Sequence, residues 1–512
     1  MVQRILKMLG ALGTGTGLIL ITQLLLPPAF LHYYGVTLYG EWIVLAGTLS
    51  YLSTLNFGIT TYASNQLTIL RKRAEFDHYR ELQASTLALL LVMIAIGLAI
   101  LSTVFFLPLG KLLHLSAIAP KDVAFTAFFL GLQMLLNILA GYYNNLFMVV
   151  EKAHRGLAWG IARAFSATLV CFLLILFRTN FRYLALGQFI AVLIVTVLSI
   201  YDLKRCLGPL PLGLAGATRH TALHTLKPSG MFAMIFAQQM LTYQVPVNIL
   251  QWFLGPTVVV LFNTSRTVLS SARQVLTPIT NAIAPEITFS YAKRDMQKLL
   301  YIFHHSEKIV FAGIPITNLG AYLFAPIIVS LWLHRSQLFD PFTYALMALI
   351  SAAISMRDHK QFFQFSTNQH QRLSMIVFFS NLLMIAVSIP LVRRFGLYGF
   401  LVAWLTSEVT QMALIYRENR KLFLNDPSIT FKPVLKLVAV MLVSLPVCMA
   451  LVHFSLPHGL WIVAAAAIAG QAALFLESYF VFGLKDVWTE LRQKLRPIPG
   501  SLPEGEHESS PG

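Results

Sequence analysis

The sequence is poor in charged residues and in cysteine. Asp, Glu, Lys and Arg make up only 12% of its 512 residues, while 57% are hydrophobic and the mean hydropathy is +0.69. A soluble domain carries about 25% charged residues, so this chain cannot cover itself in water and is predicted to be a membrane protein. Its cysteines, Cys171, Cys206 and Cys448, are too few and too far apart for a disulfide framework or a metal cluster.

Acidic residues and catalytic motifs are scarce as well. The 38 Lys and Arg outnumber the 21 Asp and Glu and give a net charge of +17, which in a soluble protein would suggest nucleic-acid binding. Membrane proteins, however, keep basic residues on their cytoplasmic loops. The sequence contains no GxxxxGK[ST], GxSxG or HExxH motif, and its 14 histidines show no metal-ligand spacing. These absences argue against a nucleotide-driven pump, the commonest hydrolases and a metal site.

Long apolar runs are abundant instead. Stretches of about 20 mostly apolar residues, the length that crosses a bilayer as a helix, recur along the whole chain. They are continuous and do not alternate every second residue, which favours helices over strands. The sequence therefore predicts an all-α polytopic membrane protein. Its fourteen transmembrane helices are placed near residues 9–31, 40–66, 83–107, 123–149, 157–177, 183–202, 230–252, 257–284, 309–333, 341–361, 373–392, 395–416, 433–453 and 459–483.

The distribution of Lys and Arg predicts the orientation of these helices. With the N-terminus placed in the cytoplasm, 26 basic residues fall on inner segments and seven in outer loops. This asymmetry predicts that both termini are cytoplasmic, and it accounts for the positive net charge without nucleic acid. The segment 497–512 is rich in Pro, Gly, Ser and Glu and is predicted to be a disordered cytoplasmic tail.

Twelve of the predicted helices divide into two similar sets of six. We expect an N-terminal lobe at 1–205, a cytoplasmic inter-lobe loop at 206–229, a C-terminal lobe at 230–420 and a further helix pair within 421–496. The first helix of each lobe carries proline late in its length and ends at a glycine turn. Matching breaks in two halves point to the hinges and binding site of a transporter, although proline is also common in membrane helices. The predicted hinge residues are Pro27, Pro28, Gly35, Pro246 and Gly255.

Two glutamines lie beside these prolines at similar places in the two lobes. Gln23 precedes the proline pair of the first lobe, and Gln244 precedes the proline of the second. An amide in a membrane helix can bind the hydroxyl groups of a sugar, or it can hold neighbouring helices together. Their matching positions make both residues candidates for substrate binding.

The segment from Gly35 to Leu67 carries a family resemblance. Its sequence GVTLYGEWIVLAGTLSYLSTLNFGITTYASNQL resembles the first helical hairpin of the O-antigen flippases, the Wzx-type polysaccharide exporters. The Tyr39–Gly40 turn followed by an aromatic helix start, and the Gly-containing element at 55–58, carry this resemblance. Asn56 stands where an acid is common in that family, which argues against a proton-carrying role at this position.

With its fourteen spans and its repeat, the chain is similar to the wider multidrug/oligosaccharidyl-lipid/polysaccharide exporter superfamily. The resemblance implies a V-shaped transporter with two six-helix lobes and two C-terminal helices, in the inner membrane of a bacterium. It implies alternating access for an oligosaccharide linked to undecaprenyl pyrophosphate, flipped for O-antigen and lipopolysaccharide synthesis. The implied partners are this substrate, the bilayer, and polysaccharide polymerases or ligases. No cofactor is expected beyond a coupling H⁺ or Na⁺.

A polar stripe on the eighth span is the strongest candidate for a binding site. Its residues are spaced three or four apart and therefore share one helix face. Arg266 lies nine residues from the outer end, roughly 14 Å, near mid-bilayer, where a charge is costly. Because guanidinium groups match phosphate geometry, we predict that Arg266 and Arg273 bind the diphosphate. Alternatively, Arg266 pairs with Glu41 or Glu408, and Arg273 reaches the inner interface. The stripe consists of Asn263, Arg266, Ser270, Arg273, Thr277 and Asn281.

The remaining charged candidates have two interpretations each. The cluster from Arg357 to Lys360 either contributes Arg357 to the cavity or is a solvated group at the inner end of a helix, and we favour the solvated group. Glu41 would cap its own helix or pair with an arginine when the outside closes. Glu408 would carry a coupling proton or make a contact between helices.

Two other functions compete with a polysaccharide flippase. Another exporter of the superfamily, such as a lipid II flippase or a cation-coupled drug exporter, would share the fold, but a drug exporter for cations would favour an acidic cavity. A polytopic membrane enzyme, such as an O-antigen polymerase, would usually present a large outer loop, and no outer loop here exceeds about fifteen residues. We therefore expect a transporter and not an enzyme.

Overall fold

The chain folds into helices joined by short connections. The computed structural model describes residues 24–208, 210, 212–277, 283, 287, 290–291, 294–367 and 371–484, and this part of the chain contains no strand. The helices are α1 (Leu24–Tyr33), α2 (Gly35–Ser50), α3 (Ile59–Lys72), α4 (Phe76–Ser102), α5 (Leu109–Leu112), α6 (Pro120–Val149), α7 (Ala153–Leu176), α8 (Phe181–Leu207), α9 (Arg219–Tyr243), α10 (Val245–Leu254), α11 (Pro256–Gln274), α12 (Met296–Leu333), α13 (Pro341–Ser366), α14 (Gln371–Leu422), α15 (Lys432–Ser455) and α16 (Leu460–Val481).

Among the described residues, eight helices are long and apolar enough to cross a membrane: α4, α6, α7, α8, α12, α14, α15 and α16. The helix α14 contains two predicted spans, because Gly396 interrupts it with a non-helical backbone conformation. The other predicted spans correspond to α1, α2–α3, α9–α10, α11 and α13, which are interrupted, more polar or partly outside the described residues. The helical order thus follows the predicted order, and the total of fourteen spans remains a prediction.

The second predicted span, 40–66, is not one continuous helix. A 3₁₀ segment, Tyr51–Asn56, follows α2, and Phe57 and Gly58 then adopt left-handed conformations with φ of 43° and 70° before α3 begins. Hydrophobicity alone could not show this interruption, because the residues on both sides are suited to a membrane helix. The break lies at the Leu55–Gly58 element that carries part of the family resemblance.

Several inner connections are shorter than the sequence indicated. The predicted inter-lobe loop 206–229 is mostly helical, since α8 ends at Leu207 and α9 begins at Arg219. Thr218 starts α9 by accepting a hydrogen bond from the Thr221 amide, a side-chain cap that favours an early helix start. Polar helix ends that extend beyond the bilayer look like loops to a hydropathy window. The tail 497–512 and the start of the first predicted span lie outside the described residues.

Contacts between helices divide the fold into two groups. In the N-terminal bundle, which we define as α2–α8, α6 packs against α7, α8, α3 and α4. In the C-terminal bundle, defined as α9–α14, α13 packs against α11, α12 and α14, while α14 packs against α9. The last pair, α15 and α16, packs on α12 of the C-terminal bundle. Many large apolar side chains stay exposed on the outer faces, including Phe379, Leu383, Leu442, Phe454 and Phe480, as expected for contact with lipid.

The two bundles touch at the end of the molecule where the glycine turns lie, which we call the turn end. Gly35 and Gly255 have φ of 80° and 82° and join α1 to α2 and α10 to α11. Gly40 packs so closely on α11 that a Cβ atom there would lie 2.4 Å from the Pro256 carbonyl oxygen. The Thr48 hydroxyl donates to the Asn248 side chain across the same interface, at 3.1 Å. The turn end, predicted to face outward, is therefore closed in this conformation.

The bundles also meet at the opposite end. The helix α9 packs on α3 and α4, and its first residues are bound to α4. Thr218 and Thr221 each donate a hydroxyl hydrogen bond to the Glu81 carboxylate, at 2.6 and 2.5 Å, and the Thr218 amide donates to the Ser85 hydroxyl at 2.9 Å. Between these two contact regions the bundles leave a polar space.

Candidate substrate cavity between the bundles

A cavity of about 580 Å³ lies between the two bundles. The helices α1, α2 and α7 line one side, and α9 and α11 line the other. Most of its polar side chains come from α11. Asn263, Arg266, Ser270 and Arg273 among them belong to the predicted stripe, so this face points into the cavity. The lining residues are Leu26, Pro27, Tyr39, Thr168, Tyr243, Asn263, Arg266, Thr267, Ser270, Arg273 and Gln274.

Arg266 is held at the break between α9 and α10. Pro246 has no N–H, and the Val247 amide donates to the Gln244 carbonyl, three residues earlier, so the Tyr243 carbonyl has no donor from its own helix. The Arg266 guanidinium donates to this oxygen at 2.8 Å and to the Asn263 side-chain oxygen at 2.6 Å. The proline break thus creates an acceptor, and the arginine satisfies it from the neighbouring helix.

The partners of Arg266 are uncharged. Apart from these two oxygens, its described contacts are the rings of Phe262 and Tyr243, with centroids 5.3 and 5.9 Å from the guanidinium carbon. The ion pairs with Glu41 or Glu408 that the sequence left open do not occur, because both carboxylates have other partners. A guanidinium has five N–H donors, so Arg266 keeps donors and a full positive charge for an anion in the cavity.

Arg273 lines the same cavity but has a charged partner. Its guanidinium lies 2.5 Å from the Asp358 carboxylate on α13, with Arg273 20% and Asp358 43% exposed. The sequence did not anticipate this pair, since the two residues are 85 positions apart. The ion pair does not fix the depth of Arg273 in the membrane, so its alternative position at the inner interface stays a prediction.

Arg357 is buried away from the cavity lining. Its guanidinium donates to Glu408 at 2.7 Å and to Gln411 at 2.9 Å, both on α14, and lies 3.3 Å from Asp358. Arg357 is 8% exposed and Glu408 is fully buried, so the favoured prediction of a solvated cluster is wrong for Arg357. Glu408 makes the contact between helices that was one of its two predicted roles, and a role in proton coupling stays a prediction.

Lys360 and Glu307 form a second buried ion pair that sequence reasoning missed. The Lys360 ammonium contacts the Glu307 carboxylate of α12, and both side chains are almost completely buried. It also lies 4.1 Å from the centroid of the Phe303 ring. The sequence placed Glu307 in an inner loop and Lys360 at a solvated helix end. The sequence did contain a hint of this pair. Glu307 and Lys360 carry opposite charges at the inner ends of two consecutive predicted spans, 309–333 and 341–361.

His359 completes the buried part of this cluster. Its Nε2 lies 2.9 Å from the Ser306 hydroxyl, one residue before Glu307 on α12. Three of the four residues in the run 357–360 are therefore buried, and Asp358 alone is substantially exposed. The run continues α13 beyond its apolar part and joins α12, α13 and α14 through polar contacts.

The carboxylate of Glu41 has backbone partners from the turn after α5. It accepts hydrogen bonds from the amides of Ser116, Ala117 and Ile118, at 2.6, 2.8 and 3.0 Å, and is fully buried. The expected cap of its own helix is replaced by this bridge to a distant turn. In this conformation the carboxylate does not contact an arginine among the described residues, and a gating role stays a prediction.

Three of the predicted hinge residues, Gly35, Pro246 and Gly255, lie where one helix ends and the next begins, whereas Pro27 and Pro28 lie within α1. Pro27 lines the cavity from α1, and Pro246 stands at the start of α10. Gln244 separates α9 from α10, and its side-chain oxygen lies against Gly47 of the N-terminal bundle. It is thus at the interface of the bundles and is not among the residues that line the cavity. Gln23 lies outside the described residues.

An apolar groove of about 770 Å³ runs on the other side of α11. It lies between α1, α11 and α12, and most of its surface is aliphatic or aromatic. The helix α11 therefore separates a polar cavity, which holds Arg266, from an apolar groove. Its principal lining residues are Leu24, Val268, Val275, Phe324, Ile328, Leu331 and Trp332.

The fold, but not the sequence, matches known proteins. No protein family and no curated protein matches the sequence. The lipid II flippase MurJ in an inward closed conformation superposes with a TM-score of 0.62 at 12% identity, over 95% of this chain and 99% of that chain. An inward-facing multidrug resistance MATE family transporter of the MOP superfamily gives 0.61 at 13% identity, over 81% and 96%. The multidrug transporter DinF-BH gives 0.56 at 16% identity, over 82% and 95%.

This chain shares the fold of the MATE transporters and of MurJ. The all-α class and the two-bundle architecture of the MATE transporters and MurJ are confirmed, and the chain is a multi-pass membrane protein. In this fold the cavity with Arg266 lies between the two bundles.

Proposed function

We propose that this protein is a flippase that moves an oligosaccharide linked to undecaprenyl pyrophosphate across the bacterial inner membrane. In this function the glycan and diphosphate cross through the cavity between the bundles, with both chain termini in the cytoplasm. The product would serve the synthesis of O-antigen or another surface polysaccharide, in succession with a polymerase or ligase. The protein moves its substrate without forming or breaking a covalent bond.

Arg266 is the observation that carries this proposal. It is a cation in a helix predicted from the sequence to span the membrane, it lines the cavity, and its described partners are neutral. A buried charge without a counter-charge is expensive, by about 2.5–3.5 kcal/mol at a helix centre on insertion scales. A diphosphate entering the cavity would supply the counter-charge and accept bidentate hydrogen bonds. Hydroxyl groups of Tyr39, Thr168 and Ser270 are suited to the sugar.

The apolar groove supports a lipid-linked substrate. A polyprenyl chain is stable in lipid and has no reason to enter a polar cavity. Since α11 presents Arg266 to the cavity and Val268 and Val275 to the groove, a single helix borders an environment for each part of the substrate. The tail would stay in the groove while the head group crosses.

A cation-coupled drug exporter fits this cavity less well. The charged residues in its described lining are Arg266 and Arg273, which repel a cationic compound. A lipid II flippase is the closer alternative, because MurJ has the same fold over 95% of this chain and lipid II also carries a diphosphate. The polysaccharide flippase and the lipid II flippase differ in the glycan that their lipid substrate carries, so a test of substrate preference distinguishes them.

Transport in reconstituted vesicles tests the proposal. The full-length protein would be incorporated with one of three fluorescent substrates: an undecaprenyl-pyrophosphate oligosaccharide, lipid II, or a cationic dye. Flipping would be measured as the fraction of lipid that an impermeant quencher reaches, and dye movement as uptake. We expect flipping of the oligosaccharide lipid, and preference for lipid II would replace our substrate by the alternative.

Arg266→Ala should slow flipping at least about tenfold, because a charged hydrogen bond is lost. Arg266→Lys should retain an intermediate rate, since the charge remains but the planar fork does not. Arg372→Ala is the matched control, because Arg372 is 74% exposed and is not among the residues that line the cavity. Equal rates for wild type and Arg266→Ala, or movement of the dye alone, would refute the proposal.

A further inference from the structure

We propose that Asp358 is a tethered competitor of the substrate diphosphate for Arg273. In the empty cavity the Asp358 carboxylate occupies the Arg273 guanidinium, and an arriving diphosphate takes its place. When the substrate leaves, Asp358 returns. This inference rests on the proposed function, and it assigns Asp358 a positioning role in substrate release.

The exposure of the pair distinguishes it from the structural ion pairs beside it. Arg357–Glu408 and Lys360–Glu307 are sealed, with side chains at most 8% exposed. In Arg273–Asp358 the acid is 43% exposed and the base lines the cavity. Separating this pair costs less than separating a sealed one, because water solvates the partly exposed carboxylate when it is released. Separating a sealed pair would leave an unpaired charge in the protein interior.

The surroundings of Asp358 allow it to release Arg273 without becoming unpaired. Its second carboxylate oxygen lies 3.3 Å from the Arg357 guanidinium, which is fixed by Glu408 and Gln411. If Arg273 turns to a diphosphate, Asp358 keeps Arg357 as a partner. Arg273 exchanges one anion for another, so no charge is left without a partner in either state.

Competition of this kind serves turnover. Two arginines on one helix face would hold a diphosphate tightly, and a substrate that binds too tightly leaves slowly. An internal anion lowers the apparent affinity by the fraction of time that it occupies Arg273. Asp358 also pairs with the Arg273 guanidinium again as the substrate leaves, and this speeds release. Arg266, with neutral partners, attracts the substrate, and the Arg273–Asp358 pair limits how long it stays.

The test combines binding and transport. Undecaprenyl pyrophosphate would be titrated into full-length protein in lipid nanodiscs, and the oligosaccharide lipid would be flipped in vesicles. Asp358→Asn keeps the size of the side chain but removes its charge. We expect about tenfold tighter binding, because a charge-assisted contact no longer competes. We also expect a lower KM together with a lower kcat, which a purely structural role would not produce.

Three further variants make the result specific. In Arg273→Gln/Asp358→Asn the gain in affinity should disappear, because the contested cation is absent. Asp77→Asn, which changes an exposed acid at the start of α4, should leave binding unchanged. Asp358→Ser should reproduce the tighter binding if Asp358→Asn purifies poorly.

The outcomes separate this inference from the proposed function. If both Asp358 variants bind undecaprenyl pyrophosphate as weakly as the wild type or more weakly, while Arg266→Ala still weakens binding and slows flipping, the competitor role is wrong and the flippase proposal stands. If Arg266→Ala changes neither binding nor flipping, the proposed function fails and this inference fails with it.

Discussion

The cavity face of α11 and the charged run of α13 use the same residue types in opposite ways. On α11, Arg266 meets only neutral groups among its described contacts and faces an open space. On α13, Arg357 and Lys360 meet carboxylates from α14 and α12 and are buried. Both regions place cations in helices that the sequence predicts to span the membrane, yet only one leaves a positive charge uncompensated. The comparison shows that an arginine or lysine can bind an anion only if no carboxylate of the protein already neutralises it. Its position in the sequence does not decide this.

Lys360→Met should have the largest effect on stability. It leaves Glu307 buried without its partner, and breaking a buried pair costs about 3–5 kcal/mol. The free energy of unfolding, measured by denaturant titration in detergent, should fall by this amount. The double variant Glu307→Met/Lys360→Met removes both charges and should regain most of the loss. If Lys360→Met is as stable as the wild type, the conclusion that Lys360 and Glu307 form a buried ion pair is refuted.

Arg266→Met should separate function from stability. The Tyr243 carbonyl loses its donor, at a cost of about 1 kcal/mol, and removal of an uncompensated cation offsets part of that cost. The unfolding free energy should therefore change by less than about 1 kcal/mol, while flipping falls at least about tenfold. A loss of stability as large as that of Lys360→Met would show that Arg266 is structural and would remove the contrast between the two regions.

Asn263→Ala should have a smaller effect on the same site. It removes the acceptor that lies 2.6 Å from the Arg266 guanidinium and helps to orient it. Arg266 keeps the Tyr243 carbonyl as an acceptor, so we expect a loss of about 1 kcal/mol, the value of an ordinary hydrogen bond, and about fivefold slower flipping with little change in stability. The vesicle assay checks this value, and a rate equal to that of the wild type would mean that Tyr243 alone orients Arg266.

Arg372→Ala should have the smallest effect. Arg372 is 74% exposed, and its partner Glu418 lies 3.8 Å away. Exposed ion pairs contribute about 0–1 kcal/mol, so both the unfolding free energy and flipping should remain close to the wild type. An effect comparable with that of Arg266→Met would show that cations outside the cavity also serve transport.

The sequence predicted the fold class and the cavity-facing stripe well because both depend on local periodicity. Apolar runs of helical length predicted membrane helices, and the spacing of Asn263, Arg266 and Arg273 predicted a shared face. The partners of these residues were not predictable in the same way. Asp358 lies 85 positions from Arg273, and Glu408 lies 51 positions from Arg357, so only the packing of α11, α13 and α14 brings them together.

The failed prediction of a solvated run at 357–360 has a related cause. A hydropathy window over this region contains four polar residues at the end of an apolar helix, and therefore predicts that they are exposed to water. It contains no information about Glu307 of α12 and Glu408 of α14, which pair with Lys360 and Arg357 in the folded protein. The inter-lobe loop was overestimated for a similar reason, because the polar first turns of α9 are helical and bound to Glu81.

By itself, the sequence determined that this is a helical membrane protein and that one of its helices carries arginines along a single face. Those properties follow from composition and from a period of 3.6 residues, which neighbouring residues specify. Only the tertiary structure decided which arginine is neutralised and which one faces an open cavity with neutral partners. A charge in a membrane acquires its role from the side chains that surround it, and those side chains come from distant parts of the chain.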